Sequence, residues 1–259
     1  MEINQAFTIL QNAGGVRAAR IITESNPNMS RLRVWWIARA LRRGVPVAKI
    51  IGQKWFWGLR FYTNRHTLDP RPDTETLVAA VIADSATDAP NILDLGTGTG
   101  CIIGALVHSI HGAHGVGIDR SRGAVRVARR NMRRLGLDAR VQIMCASFNN
   151  PRALPCDAFD IIVANPPYIA VGDRRVDAGA LHDPWCALYA KNNGLAAYES
   201  IAPNAWRWAC PGAKIYLEIG MGQAPAVRDI FTAAGWEFVR SESDLGGIER
   251  VLVFRRPDK

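Results

Sequence analysis

Asn165-Pro166-Pro167-Tyr168 follows directly on the apolar run Phe-Asp-Ile-Ile-Val-Ala at 159–164. An Asn at the end of a buried strand, then two prolines and an aromatic, makes a rigid cup for a planar amide or amino group. Each proline fixes its own φ and lacks an N–H. Each also pushes the residue before it out of the helical region, so the segment is extended and stiff. The Asn165 carboxamide oxygen and the free backbone carbonyls can accept from an incoming NH2, and the Tyr168 ring can lie over a flat π-system. The plainer alternative is a loop that merely ends a strand, with Asn as a turn former.

A second motif lies upstream, Asn91-Ile-Leu-Asp94-Leu-Gly96-Thr97-Gly98-Thr99-Gly100-Cys101. It reads as a strand, a glycine-rich turn and the start of a helix. Glycine lets backbone approach a ligand and adopt positive φ. A lone GxGxG is a weak signal, but the next strand, 115–118, ends in Asp119. An acidic residue roughly 20 positions after such a turn is where a ribose is gripped through its hydroxyls. A dinucleotide site and an S-adenosylmethionine site compete for this pattern. Gly96, Gly98 and Gly100 alternate and lack the GxGxxG spacing, which favours a cofactor carrying an amino acid over one carrying a pyrophosphate. Asp94 either meets the methionine ammonium or orients the turn.

From 91 onward, strands alternate with helices. Strands are expected near 91–95, 115–118, 140–145, 159–164, 213–219, 236–241 and 250–255, with helices near 101–110, 121–135, 194–209 and 223–234. This order argues for a parallel, doubly wound α/β sheet. Asp244-Leu-Gly-Gly247 joins the last two strands as an antiparallel edge hairpin. In open α/β sheets ligands sit beyond the carboxyl ends of the strands. Gly96, Asp119, Phe148 and Asn165 all fall at such ends, so all can face one crevice. Before the sheet, helices are expected near 3–12, 15–25, 30–43 and 73–84, and a hairpin over 55–62 turning at Gly58. Trp35, Trp36, Leu32, Ile37 and Leu41 form an apolar helix face. Asp73 and Thr74 can serve the first turn of the helix at 73–84.

Together, the glycine turn, Asp119, Asn165–Tyr168 and Leu68-Asp-Pro-Arg71-Pro-Asp-Thr-Glu75 resemble release-factor glutamine methyltransferases (the HemK or PrmC family). The sister family that methylates a ribosomal-protein glutamine usually has Ser-Pro in place of the Pro-Asp-Thr here. The likeness runs through most of the chain: Pro46-Val-Ala48 near Lys49, Gly52-Gln53, Trp55-Phe-Trp57, Asp183-Pro184, Leu217-Glu-Ile-Gly220 with Gln223, and Glu249-Arg-Val251. It departs at Ser147-Phe148, where the family commonly has an Asp before the aromatic. It departs again at Leu68-Asp69, usually two apolar residues, and in a shorter N-terminal region.

The resemblance implies a Rossmann-like class I S-adenosylmethionine-dependent methyltransferase sheet with a small N-terminal helical domain. Residues 1–50 would be a substrate-docking domain, 51–72 a hairpin linker, and 73–259 the catalytic domain. It implies S-adenosyl-L-methionine held by Asp94, Gly96, Thr97, Gly98, Thr99, Gly100, Asp119, Phe148 and Asn165. The acceptor would be the glutamine of the Gly-Gly-Gln motif of peptide chain release factors, methylated at its side-chain amide nitrogen. Asn165, Pro166 and Tyr168 carry the chemistry, with Pro167 a stiffener in the substrate site. Asn165 and the Pro166 carbonyl each accept one N–H, and Tyr168 packs on the amide plane. Arg71 and Glu75 close the cofactor site or serve as a cap or ion pair. The same cup suits adenine-N6 methylation of a flipped base in DNA or RNA. A non-catalytic RNA- or ribosome-binding module is the reading from another class.

Composition bounds these readings. The net charge is +9, with arginines gathered at 31, 33, 39, 42 and 43 and again at 120, 122, 126, 129, 130, 133 and 134. Such a surface speeds encounters with acidic partners, the ribosome and RNA included. No apolar run approaches the ~20 residues that span a bilayer. The first residues form no signal peptide. Five cysteines without a CxxC pair read as free thiols in a reducing, cytoplasmic setting. His108, His111 and His114 are interrupted by glycines, and no metal is expected.

Overall fold

Two apolar patterns build separate cores, one from three N-terminal helices and one around a twisted sheet. The computed structural model describes residues 1–85, 89–150, 152–173 and 178–258. The N-terminal helices are α1 (Ile3–Ser25), α2 (Arg31–Arg42) and α3 (Val47–Ile51). The expected break inside α1 is a kink at Gly15, whose φ of 84° and ψ of 168° only glycine takes readily. Ser30 caps α2 by accepting from the Arg33 N–H. Helix α3 was not anticipated, because five residues carry too little periodicity to show. Pro46 starts it and left-handed Gly52 stops it.

Leu10, Ile22, Val34, Ile37 and Ala38 meet in the core of this unit. The apolar face expected of α2 is therefore corrected. Val34, Ile37 and Ala38 point inward, whereas Leu32, Trp35 and Trp36 are 68%, 51% and 57% exposed. Among the described residues, α1 and the short α3 pack on α2, and they cover a narrow stripe.

Strands β1 (Gln53–Phe56) and β2 (Leu59–Tyr62) form the expected antiparallel hairpin. It turns at Trp57-Gly58, both at positive φ, the twist that two-residue hairpins favour. Phe56 and Phe61 are buried in the core of the sheet unit, and the Trp57 N–H donates to Glu75 Oε1 at 2.8 Å. The segment expected to be a linker is thus fastened to the sheet unit.

The sheet unit runs α4 (Glu75–Asp84), β3 (Asn91–Leu95), α5 (Cys101–Ser109), β4 (His114–Asp119), α6 (Arg122–Leu135), β5 (Val141–Cys145) and β6 (Phe159–Ala164). It continues with β7 (Ile169–Ala170), α7 (Trp185–Leu188), β8 (Tyr189–Ala190), α8 (Ala196–Trp208), β9 (Ala209–Glu218), α9 (Ala224–Ala233), β10 (Glu237–Ser243) and β11 (Glu249–Arg255). The strand order is β10-β11-β9-β6-β3-β4-β5. All neighbours from β9 to β5 are parallel, and β11 is antiparallel to both β9 and β10. The last two strands do form an antiparallel hairpin at the sheet edge. Its second strand lies one place inside, between β9 and β10. The two-residue pair β7–β8 is parallel and was not foreseen.

Lys49 of α3 ties the two units together. Its ammonium lies 2.9 Å from both Asp69 and Asp183, and Arg71 lies 2.7 Å from the other oxygen of Asp183. Two cations meet two carboxylates, and apart from the half-exposed Arg71 the side chains are at most 7% exposed. Asp69, one of the family departures noted above, has a partner here. Removing one member of a buried charge cluster is costly because the opposite charge stays behind. Lys49→Ala is therefore expected to lower stability by about 3 kcal/mol, at the modest end because Arg71 and the Thr63 hydroxyl (2.6 Å from Asp69) remain. Urea unfolding followed by tryptophan fluorescence measures this. A loss under about 1 kcal/mol would show the ammonium to be dispensable to these carboxylates.

Candidate active site

Strands β3, β4, β5 and β6 run parallel, so their carboxyl ends share one edge of the sheet. Gly96, Gly98, Asp119, Phe148, Asn165, Pro166 and Pro167 line one crevice there, with Leu68, Ser147, Cys186 and Ala187. A second cleft is lined by Arg71, Asp73, Asn165, Pro166, Tyr168, Glu218 and Arg250. Asn165 and Pro166 belong to both, and so do Leu68 and Ala187. The four form a partition between two compartments. A larger cleft lined by Asn91, His114, Arg133 and Gln142 contains none of the expected site residues.

In the first crevice the chain bends at Gly96 and Gly98, both at positive φ. The N–H groups of Gly96 and Thr97 both donate to the Ile118 carbonyl at 2.9 Å, which pins the turn against β4. Asp119 receives the Gly98 N–H at 3.0 Å on one oxygen and the Ser121 N–H at 2.8 Å on the other. Burial raises its pKa, opposed by these two N–H donors. Each oxygen keeps a lone pair for a further donor. Asp94 is 1% exposed, and the Thr97 hydroxyl donates to its Oδ2 at 2.6 Å. Its Oδ1 has no hydrogen-bond partner. Burial pushes this carboxyl up to about 7.

Asp94, Thr97, Thr99 and Gly100 are not on the crevice surface. They are buried behind the turn. A Cβ on Gly100 would meet the Met132 methyl at 3.0 Å and Ala128 at 3.3 Å, so this glycine serves the packing of α5 against α6. Ser147 and Phe148 both face the crevice. Glycine backbone, a carboxylate with free lone pairs, an aromatic ring and a buried unpaired carboxylate oxygen suit a nucleoside carrying a charged amino-acid tail. The residues present therefore fit S-adenosylmethionine.

In the second cleft, Asn165 Nδ2 donates to the Thr74 hydroxyl at 3.1 Å, leaving Oδ1 for another donor. The Tyr168 hydroxyl is 3.4 Å from Glu218 Oε1. The Tyr168 carbonyl accepts from Gln223 Nε2 at 2.9 Å. A Cβ on Gly194 would lie 2.1 Å from that carbonyl oxygen, so only glycine lets the chain pass here. Glu218 is 2% exposed, and its Oε2 has no hydrogen-bond partner. Burial pushes its carboxyl up to about 7. No role had been read for Glu218. A charge inside the apolar run 213–219 was the signal for one.

Other expectations are corrected. The Thr74 side chain does not cap α4; it faces Asn165. Asp73 pairs with Arg250 at 3.1 Å. Of the two readings of Arg71, the ion pair is the one found: it pairs with Asp183 and lines the second cleft, while Glu75 holds the hairpin, and neither lines the first crevice. Part of the second arginine cluster is structural. Arg129 donates to the Ile143 carbonyl at 2.8 and 3.1 Å, and the Arg130 guanidinium lies 3.8 Å from the Tyr62 ring centre. Among the described residues, no group of three His, Cys, Asp or Glu is placed to hold a metal ion. Among them also, no helix is long and apolar enough to cross a membrane.

Residues 86–202 match the family described as "Methyltransferase domain". A "Release factor glutamine methyltransferase" of Bradyrhizobium diazoefficiens is 39% identical over 247 residues, covering 93% of this chain and 81% of the relative. A protein of the same name from Caulobacter vibrioides is 37% identical, with 96% and 87% covered. Among solved structures, a methyltransferase from Pyrococcus furiosus superposes with a TM-score of 0.59 at 15% identity, covering 88% of this chain and 98% of that one; this likeness concerns the fold. The geometry around Asp119 generates a direct test. Losing a charged acceptor of a hydroxyl costs about 1.5–3 kcal/mol, or roughly 10- to 150-fold in affinity. Asp119→Ala is expected to weaken S-adenosylmethionine binding by that factor in calorimetric titration. Unchanged affinity would remove Asp119 from the cofactor site.

Proposed function

We propose the following reaction for this chain, which belongs to the release factor glutamine methyltransferase family: a methyl group passes from S-adenosylmethionine to the side-chain amide nitrogen of the glutamine in the Gly-Gly-Gln motif of a peptide chain release factor. The observation that carries this reading is the partition. Asn165 and Pro166 face the glycine-lined crevice on one side and the acceptor cleft on the other. A group moving between the two compartments passes at their atoms.

When bound, S-adenosylmethionine supplies an activated methyl group on a sulfonium, which needs neither a metal nor a covalent nucleophile. Asp119 would hold its ribose hydroxyls, Phe148 its adenine face, and the Gly96–Gly98 backbone with Asp94 behind it the amino-acid end. The rest of the work is orientation, which contributes about 7–11 kcal/mol in the best cases. A glutamine amide nitrogen is a weak nucleophile because its lone pair is shared with the carbonyl. Asn165 Oδ1 and the Pro166 carbonyl each accept one N–H of the amide. Two acceptors so placed favour a more pyramidal nitrogen with its lone pair toward the crevice; as the new N–C bond replaces the methyl–sulfur bond, the amide nitrogen would give up one of its two protons to water. Tyr168 packs on the amide plane.

The cup recognises a planar amide and nothing beyond it, so the choice of protein rests on surfaces outside it. Residues 1–50 supply one as a docking unit. Leu32, Trp35 and Trp36 are exposed beside exposed Arg31, Arg33, Arg39, Arg42 and Arg43. The same basic face suits contact with the ribosome or its RNA during termination. A cytoplasmic setting, where release factors act, belongs to this reading.

Mass spectrometry of a release factor incubated with enzyme and S-adenosylmethionine tests the assignment. A gain of one methyl on the Gly-Gly-Gln glutamine supports it, and methyl label found only on adenine overturns it. Asn165→Ala is expected to cut turnover by at least 100-fold while cofactor affinity changes little. Near-normal turnover at saturating substrate would refute the mechanism. Trp35→Ala/Trp36→Ala is expected to raise KM for the folded factor while leaving cofactor affinity unchanged. An unaltered KM would dismiss the docking role.

A further inference from the structure

The Asn165 carboxamide is useful only one way round. Its oxygen must face the acceptor cleft, because only the oxygen can accept from the incoming amide. Nothing within Asn165 enforces this, since rotating the group by half a turn exchanges two atoms of nearly equal size. We propose that Thr74 is the positioning residue that sets the direction of the Asn165 carboxamide, and that the buried Glu218 carboxylate beside it takes the Thr74 proton. This rests on the reading of Asn165 as the residue that holds the acceptor amide.

Asn165 Nδ2 lies 3.1 Å from Thr74 Oγ1, and Thr74 is 2% exposed. A hydroxyl has one proton to donate. If the proton went to Asn165, the carboxamide would turn its oxygen toward Thr74 and its NH2 toward the acceptor cleft. Ionised Glu218 competes for the same proton. It is buried; the Tyr168 hydroxyl lies 3.4 Å from its Oε1, and its Oε2 is left with the capacity to take a proton from the neighbouring Thr74 hydroxyl. Of the groups around it, the Thr74 hydroxyl, Arg250 and the Tyr168 hydroxyl favour its charged form, against burial and Asp73. A carboxylate accepts a hydroxyl proton more strongly than a neutral amide oxygen does. Thr74 therefore donates to Glu218 and is left with lone pairs only. Asn165 can satisfy those only with Nδ2, so Oδ1 faces the acceptor.

Protonated Glu218 releases this constraint. It can donate to Thr74, Thr74 can donate to Asn165, and the carboxamide can reverse. The titratable and charged groups facing Glu218 are Asp73, Arg250 and Tyr168, with Tyr198 donating to its backbone carbonyl at 2.8 Å and Cys101 nearby. Arg250 is itself paired with Asp73 and Asp244, and burial raises both tyrosines. Glu218 is thus the member of this group that titrates near neutrality.

The test uses the full chain with S-adenosylmethionine and a folded release factor in single turnover. Thr74→Val keeps the shape and removes the hydroxyl. It is expected to lower the transfer rate at least 10-fold with cofactor Kd within about 3-fold. Thr74→Ser is expected to restore most of the rate. The unaltered enzyme is expected to show an acid limb in its rate–pH profile with a midpoint near 7, and Glu218→Gln is expected to abolish it. A normal rate in Thr74→Val overturns the proposal. So does an acid limb that persists in Glu218→Gln, since the limb then belongs to another group such as Asp94. Should Glu218→Gln not fold, the Val and Ser pair decides alone. Asn165→Ala separates the two levels. If it has a normal rate, the reading of Asn165 fails. If it is inactive while Thr74→Val is normal, only the present inference fails.

Discussion

Two adjacent residues without a backbone N–H constrain everything around the site. Pro166 and Pro167 cannot donate to a strand ladder, so the chain must leave the sheet as soon as β6 ends at Ala164. The departing backbone then needs anchors from elsewhere. Thr74, just ahead of α4, takes the Asn165 side chain, and Gln223, just before α9, takes the Tyr168 carbonyl. Gly194 gives that carbonyl room. The cup is stiff along its own chain and held by three segments remote in sequence. Such fixed placement is what in-line transfer requires.

A second constraint comes from charge. Lys49, Asp69, Arg71 and Asp183 neutralise one another where α3, the segment after the hairpin and the stretch before α7 converge. Pro184, Cys186 and Ala187 follow Asp183 directly and line the first crevice. The helical unit is therefore tied to the cofactor-side wall through a cluster in which removing one charge leaves its partner buried. The cost of burying Asp69 is met by Lys49.

Much of the fold was legible because parallel strands buried on both faces are short apolar runs, and here β3, β4 and β6 are closed by Gly96, Asp119 and Asn165. Those closures named the crevice: Gly96, Gly98, Asp119, Phe148 and Asn165 do meet. What stayed hidden was pairing across long separations. Thr74 and Asn165 are 91 residues apart, and no local pattern joins them. Thr74 sat at a helix start, where its hydroxyl looked like a cap. Gly100 shared a motif with Gly96 and Gly98 yet serves helix packing, because spacing cannot tell which side of a turn faces a neighbour. The exposure of Trp35 and Trp36 was hidden for a similar reason: their pattern marks an apolar face, but its covering depends on how much of α1 and α3 reaches it.

The place of β11 bears on how the protein comes into being. This strand is the last of the sheet in sequence but lies inside it, between β9 and β10. The sheet cannot be assembled by adding strands in chain order. A nascent chain displaying everything through β10 would leave the β9 edge open, with the apolar side chains that cover β11 exposed to solvent. Arg250, carried by β11, reaches Asp73 and lines the acceptor cleft. During synthesis the glycine-lined crevice can thus take shape before the cleft that receives the acceptor, and closing the sheet is the same event as completing that cleft.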